Sequence, residues 1–243
     1  MTVSDKDQPR SSGVHALGKA SVPKASSASP KMSGGGVAVL ASGGVESAAL
    51  LTEALQRYER VYPVYVREGF IWESSELFWI RKLLKALASD GLAGLTLLEV
   101  PMRPLYGPHW SLGKRPVPGF RASDRAVYLP GRNLILLSLG GLFCALRRIP
   151  ALWIGILRGN PFHDARSGFF REMEGSIRDG LDAAVRIASP LGEFKKAEVL
   201  RRFPRIPWET TFSCIHPAGR RHCGRCQKCA ERKAGFKAAG TPD

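Results

Sequence analysis

From Val37 onward, short β-branched or apolar runs alternate with longer stretches whose apolar positions recur at helical spacing. VAVLA (37–41) reads as a strand and residues 46–57 as a helix; RVYPVYV (60–66) is a second strand. Residues 74–88 form a helix that Ser74 or Ser75 is placed to cap, and LTLLEV (95–100) is a third strand. A connection rich in Gly and Pro covers 102–130, and an apolar helix starts at Asn133. A fourth strand (151–157), a loop, a helix (168–184), a short strand (186–188) and a helix (195–203) complete the pattern.

Alternation of this kind implies right-handed crossovers and a mostly parallel sheet with helices on both faces, a Rossmann-like α/β class. In such sheets ligands sit at the carboxyl ends of strands, near the point where the strand order reverses. No internal repeat is visible. The apolar run LILLSLGGLFCAL (134–146) is far shorter than the ~20 residues that span a bilayer, and Arg147-Arg148 end it, so it reads as a buried helix.

Residues 1–35 are rich in Ser, Ala, Gly, Pro and Lys and poor in large apolar side chains, so burial cannot offset their ordering entropy. They read as a disordered leader without a signal-peptide apolar stretch, which makes the cytoplasm the default location and a membrane role unexpected. The folded part divides into an α/β unit over 36–207 and a cysteine-bearing segment over 208–243. With 44% hydrophobic residues the chain can build a sizeable core. Its 36 Lys+Arg against 21 Asp+Glu give a formal charge of +15, which favours anionic partners without choosing among nucleotides, nucleic acid and phosphorylated substrates.

The first strand runs into Ser42-Gly43-Gly44-Val45-Glu46-Ser47 and then a helix. That order brings backbone N–H groups, a helix N-terminus and two hydroxyls to one point, a natural anion site, although a plain Gly-Gly turn has the same composition. It is neither GxxxxGK[ST] nor GxGxxG. At the other end, Cys214-x8-Cys223-x2-Cys226-x2-Cys229 offers four soft ligands at a spacing that suits tetrahedral Zn²⁺. Four thiols close the shell, so the site reads as structural, with His216 and His222 outside it. A zinc tetrathiolate lowers the net charge by about two units and leaves the chain strongly basic. Arg220, Arg221, Arg225 and Lys228 offset the thiolates, as a solvated face or as phosphate contacts.

The loop Ala41–Ser47 resembles the pyrophosphate loop (PP-loop) of ATP pyrophosphatases, Ser-Gly-Gly-x-Asp-Ser, with Glu46 in place of Asp. Together with the cysteine cluster, Leu129-Pro-Gly-Arg132-Asn133, Ser189-Pro-Leu191 with Lys195 and Glu198, and Phe212-Ser213-Cys214, the chain is similar over about residues 37–240 to the 7-cyano-7-deazaguanine synthases of queuosine-precursor biosynthesis. The resemblance implies the PP-loop fold and an ATP-dependent ligase that adenylates the carboxylate of 7-carboxy-7-deazaguanine. Ammonia then gives an amide, and a second adenylation gives the nitrile. It implies ATP and Mg²⁺ at Ala41, Ser42, Gly43, Gly44, Val45, Glu46, Ser47, Arg132 and Asn133, and Zn²⁺ on the four cysteines. Homodimers are usual in that family, and nucleic acid is not a required partner.

The resemblance thins in GILRGNPFHDARSGFF (155–170). Asp164, Arg166 and Phe169 match the family's Asp, Arg and following Phe of the deazaguanine pocket, while Arg158 and Asn160 stand where acidic character is expected. An Asp beside an Arg reads a purine-like edge or forms an ordinary loop ion pair. Cys144 sits in the apolar helix as a core residue, which tells against sulfur-transfer relatives, and ammonia is expected free or from a separate protein. Two rival readings remain: the same chemistry on a different acid, and a catalytically weakened relative that binds RNA through its zinc module and basic surface.

Overall fold

The computed structural model describes residues 35–243; the expected leader lies, apart from Gly35, outside them. Five strands, β1 (Gly36–Leu40), β2 (Arg60–Arg67), β3 (Thr96–Glu99), β4 (Ala151–Trp153) and β5 (Arg186–Ala188), pair in the order β3-β2-β1-β4-β5, every pair parallel. The helices are α1 (Val45–Arg57), α2 (Glu73–Ala86), α3 (Arg103–Tyr106), α4 (Arg132–Leu146), α5 (Ser167–Leu181), α6 (Lys196–Arg202) and α7 (Gln227–Ala239).

The two-residue period of the strands explains the layers. Val37, Val39 and Ala41 point into one core with α1, α2 and α6, whereas Ala38 and Leu40 point into a second with α4 and α5. β4 divides the same way, with Ala151 and Trp153 on the first face and Leu152, followed by Ile154 just past the strand, on the second. Because both faces are covered at the centre of the sheet, β1 and β4 are apolar along their length, as buried parallel strands must be, whereas the edge strand β3 is half exposed. Residues 208–243 share this packing: α7 lies along α6 and Phe236 enters the first core.

A third core lies beyond the carboxyl ends of the strands. Trp72, Met102, Trp110, Leu129 and Phe212 pack there with Cys214, Cys226 and Cys229, so the long 102–130 connection and the cysteine segment cover one another. Trp72 and Trp110 stack with centroids 5.6 Å apart, which fixes the long loop as a packed wall.

Three expectations need correction. β4 has three residues, since Gly155 leaves the sheet to pass Glu46, where a Cβ would lie 2.9 Å from the Glu46 Cβ. Neither Ser74 nor Ser75 caps α2, which begins a residue earlier behind Trp72; Ser74 is exposed and the Ser75 hydroxyl donates to the Gly219 carbonyl at 2.8 Å. Finally, α4 is only half buried. Leu137, Gly140, Gly141, Phe143 and Cys144 face the sheet, but Leu134, Leu142 and Leu146 lie on the solvent side, Leu146 being 76% exposed. Cys144 is a buried core residue, and desolvation pushes its thiol pKa up to about 12. Among the described residues no helix is long and apolar enough to cross a membrane.

Leu152 is fully buried at the centre of the second core. Leu152→Ala is expected to lower the unfolding free energy by about 2–5 kcal/mol, read from the urea midpoint with an unchanged slope.

Candidate active site

At the carboxyl end of β1 the chain turns sharply. Gly43 adopts φ +81°, and a Cβ there would lie 3.1 Å from the backbone nitrogen of Ile80, so both conformation and space require glycine. The Ser42 amide donates to Ser47 Oγ at 2.9 Å, closing the loop on itself, and the Phe212 amide donates to the Gly43 carbonyl at 2.8 Å, tying it to the cysteine segment. Gly44 is the N-cap of α1, and its carbonyl receives the Ala48 amide at 3.0 Å. The amides of Val45, Glu46 and Ser47 have no hydrogen-bond partner among the described residues. These free donors at the positive end of a thirteen-residue helix make a site for anionic oxygens.

Ser42, Gly44 and Glu46 open onto a cavity of about 430 Å³ at this switch point of the sheet. Lys196 forms part of its wall, with Nζ 3.0 Å from Glu46 Oε1 and paired also with Glu231, which Lys228 pairs from the other side. Burial alone would lower the Lys196 pKa, but the two carboxylates outweigh it and hold the ammonium firmly charged. Burial likewise acts to raise Glu231, yet Lys196 and Lys228 bring it down to about 2. Lys195, one of the residues that carry the resemblance, is the N-cap of α6 and also lines the cavity; the lysine paired with Glu46 and Glu231 is its neighbour.

Arg132 and Asn133 enter from the start of α4, and both line the cavity. Arg132 Nε and Nη2 each lie 2.8 Å from Glu68 Oε2, a carboxylate with no exposed surface, so one edge of the guanidinium is anchored. Asn133 is turned toward Asp164: its amide donates to Oδ2 at 3.3 Å and its Nδ2 to the Asp164 carbonyl at 3.2 Å. Asp164 thereby satisfies the first turn of α4 as well as bordering the cavity. Arg166 and Phe169, expected beside it, do not line the cavity. Arg166 is the N-cap of α5, and Phe169 packs into the second core next to Phe170. Tyr128 and Phe162, also on the cavity lining, meet in a tilted pair with ring centroids 4.7 Å apart.

Three acids missed in the sequence lie along β2 and α2. Glu73 accepts the amides of Glu68 and Gly69 and fixes the turn between those elements. Glu68 anchors Arg132, and Glu76, on the cavity wall, accepts the Tyr65 hydroxyl at 2.8 Å. Burial pushes the Glu76 carboxyl up to about 7, although Arg132 and the Tyr65 hydrogen bond act to lower it. The aromatics at and on α2 divide: Trp72, its N-cap, is core, whereas Phe78 and Trp79 are half-buried, the Trp79 indole donating to the Arg220 carbonyl at 2.6 Å and the Arg220 guanidinium lying 4.1 Å from the Phe78 ring centre.

Cys214, Cys223, Cys226 and Cys229 converge, their sulfurs all within 4.8 Å of one another. Sγ separations of 3.8 Å (214–226), 3.9 Å (223–229) and 3.5 Å (226–229) exclude bonded disulfides and suit zinc, whose tetrahedral thiolates at ~2.3 Å stand about 3.8 Å apart. Amides of His216 and Cys223 point at Cys214 Sγ, each at 3.4 Å, as thiolate donors do. His222 stands apart, its Nε2 accepting the Ser213 amide at 3.1 Å.

Residues 36–240 match the family model described as queuosine biosynthesis protein QueC. The 7-cyano-7-deazaguanine synthase 1 of Desulfitobacterium hafniense (strain Y51) is 29% identical over 201 residues, covering 81% of this chain and 89% of the relative. The 7-cyano-7-deazaguanine synthase of Anaeromyxobacter dehalogenans (strain 2CP-C) is 28% identical over 220 residues, 84% of this chain and 92% of the relative. That of Rhizobium leguminosarum bv. trifolii (strain WSM2304) is 35% identical over 126 residues, 49% and 52% of the two chains.

The Lys196 network gives a signed pH dependence. Glu231 is depressed in the folded state, so its contribution is present above its ordinary value of 4.5 and is lost as pH falls toward about 2. Lys196→Met is expected to destabilise the protein by about 1–3 kcal/mol at neutral pH, below the figure for a fully buried pair because both carboxylates keep some exposure. It should also flatten the acid limb of stability, measured by urea titration from pH 7 to 3.

Proposed function

The chain belongs to the QueC family of queuosine biosynthesis proteins, and from that premise we propose that it is an ATP-dependent C–N ligase converting 7-carboxy-7-deazaguanine and ammonia to 7-cyano-7-deazaguanine. The observation that carries the reading is the meeting, on one cavity, of the loop Ala41–Ser47 with Lys196 and an anchored Arg132.

In this reading the triphosphate of ATP lies on the loop. The amides of Val45, Glu46 and Ser47 and the hydroxyls of Ser42 and Ser47 receive its oxygens, and Gly43 and Gly44 let the backbone approach. Lys196 stabilises charge as pyrophosphate departs, and Glu46 and Glu231 keep it in place. Glu46 is the carboxylate on the loop that would hold Mg²⁺, which would supply charge neutralisation to the phosphate oxygens. The substrate carboxylate attacks the α-phosphorus, ammonia displaces AMP to leave the amide, and a second adenylation permits loss of AMP as the nitrile forms. Most of the rate gain is positional and electrostatic.

Arg132 with Asn133 orients the nucleotide, and Asp164 accepts N–H groups from the deazapurine edge, with Arg166 and Phe169 supporting its loop from behind. Zn²⁺ on Cys214, Cys223, Cys226 and Cys229 is structural in this reading, since four thiolates leave no open position. The enzyme works in the cytoplasm on ammonia supplied free or by another protein, as a homodimer, and does not require nucleic acid.

With ATP, Mg²⁺, ammonium and 7-carboxy-7-deazaguanine, the protein is expected to release AMP and pyrophosphate and to form the nitrile. Gly43→Ala should reduce pyrophosphate release by about 100-fold or more while leaving one zinc per chain, by atomic absorption. A mutant with full turnover would place the nucleotide elsewhere. Stripping zinc with a strong chelator should lower the thermal midpoint, because site formation is coupled to folding.

A further inference from the structure

The proposed ligase reaction, on which the role inferred for Glu76 rests, sheds protons from nitrogen. As the ammonia lone pair forms the C–N bond, the C–O bond to AMP breaks with its electrons leaving on AMP, and the nitrogen must lose a proton. Once the amide oxygen is adenylated, the two remaining N–H protons go as C≡N forms and AMP departs again. A group that accepts protons beside the reacting carbon is therefore demanded.

Five carboxylates border the cavity among the described residues. Glu46 and Glu231 are held in ion pairs with lysines. Asp124 accepts the Gln227 side-chain amide at 2.6 Å, and Asp164 is occupied by Asn133. Glu76 differs from all four in being buried, and from Glu46 and Glu231 in lacking a lysine. It is 8% exposed and has no ion-pair partner among the described residues; its hydrogen-bond partner is a neutral hydroxyl, that of Tyr65 at 2.8 Å. It also lies one turn before Ile80, the residue against whose backbone Gly43 packs, so it is on the face of α2 turned toward the loop.

We infer that Glu76 is the catalytic base that takes the proton from the attacking nitrogen and returns it to water. Its surroundings suit the task. Burial lifts its carboxyl to about 7, Arg132 and the Tyr65 hydrogen bond hold it from going further, and Glu68 and Glu73 push it upward. Tyr65 is itself kept protonated by burial and by Glu76, so it stays a donor. A base with a pKa near the working pH is ionised often enough to act and basic enough to matter.

The test separates adenylation from nitrogen chemistry. Adenylation of an already ionised carboxylate needs no base, so Glu76→Gln should keep ATP–pyrophosphate exchange within about threefold of wild type while nitrile formation falls about 100-fold or more. Wild-type nitrile formation should rise with pH to a plateau above about 7, and Glu76→Gln should lose that limb. Tyr65→Phe, which removes a hydrogen bond that favours the ionised carboxylate, should move the limb to higher pH; this decides the matter should Glu76→Gln not accumulate as folded protein. Glu76→Gln forming nitrile within about twofold of wild type, or losing exchange and nitrile formation in equal measure, overturns the inference, as does an unmoved limb in Tyr65→Phe. Wild-type protein that supports no exchange with the acid overturns the ligase reading together with it.

Discussion

The crevice exists because β1 has a parallel neighbour on each side: the chain leaves β1 toward β2 and β3 on one side, and the connection from β3 crosses back to β4 on the other. Backbone cannot fill the space where those connections diverge, so the carboxyl end of β1 stays open. Gly43 can turn there only because it has no side chain to meet Ile80. The two apolar faces of the strands, set by their two-residue period, hold the helices that carry Lys196, Arg132 and Glu76 to the same opening.

The cysteine segment completes this arrangement from above. The Phe212 amide bonds to the Gly43 carbonyl, Ser75 and Trp79 bond to the carbonyls of Gly219 and Arg220, and Glu231 of α7 reaches Lys196. The 102–130 connection is wedged into the same third core by Trp110 and by the Gln227–Asp124 hydrogen bond. A change in the cysteine cluster therefore reaches the loop through a few short contacts. The packing also accounts for a Glu at position 46: its carboxylate is matched by Lys196, and Gly155 leaves room for its stem.

Where the chain signals were backbone-driven, the sequence was readable. The strand and helix alternation follows from burial on both faces, and the Ser-Gly-Gly turn and the four-cysteine spacing are short-range patterns with few structural solutions. What it did not disclose depends on tertiary contacts. Lys195 and Lys196 both border the cavity, and which of them pairs with Glu46 and Glu231 turns on a helix start shifted by one residue. Glu68, Glu73 and Glu76 carry no local motif and matter only because β2 and α2 fold back on Arg132. Arg166 and Phe169 have matching residue types, but α5 begins at that point and turns both away from the cavity. The exposed leucines of α4 were hidden by a run that is apolar on every side.

The central claim is that the cavity activates a carboxylate by joining it to AMP, and oxygen tracing tests it most directly. Acid carrying heavy oxygen at both carboxylate positions, turned over with ATP and ammonia, should place one labelled oxygen in each AMP formed and none in pyrophosphate. Unlabelled AMP, or label appearing in inorganic phosphate alongside ADP, would contradict the account.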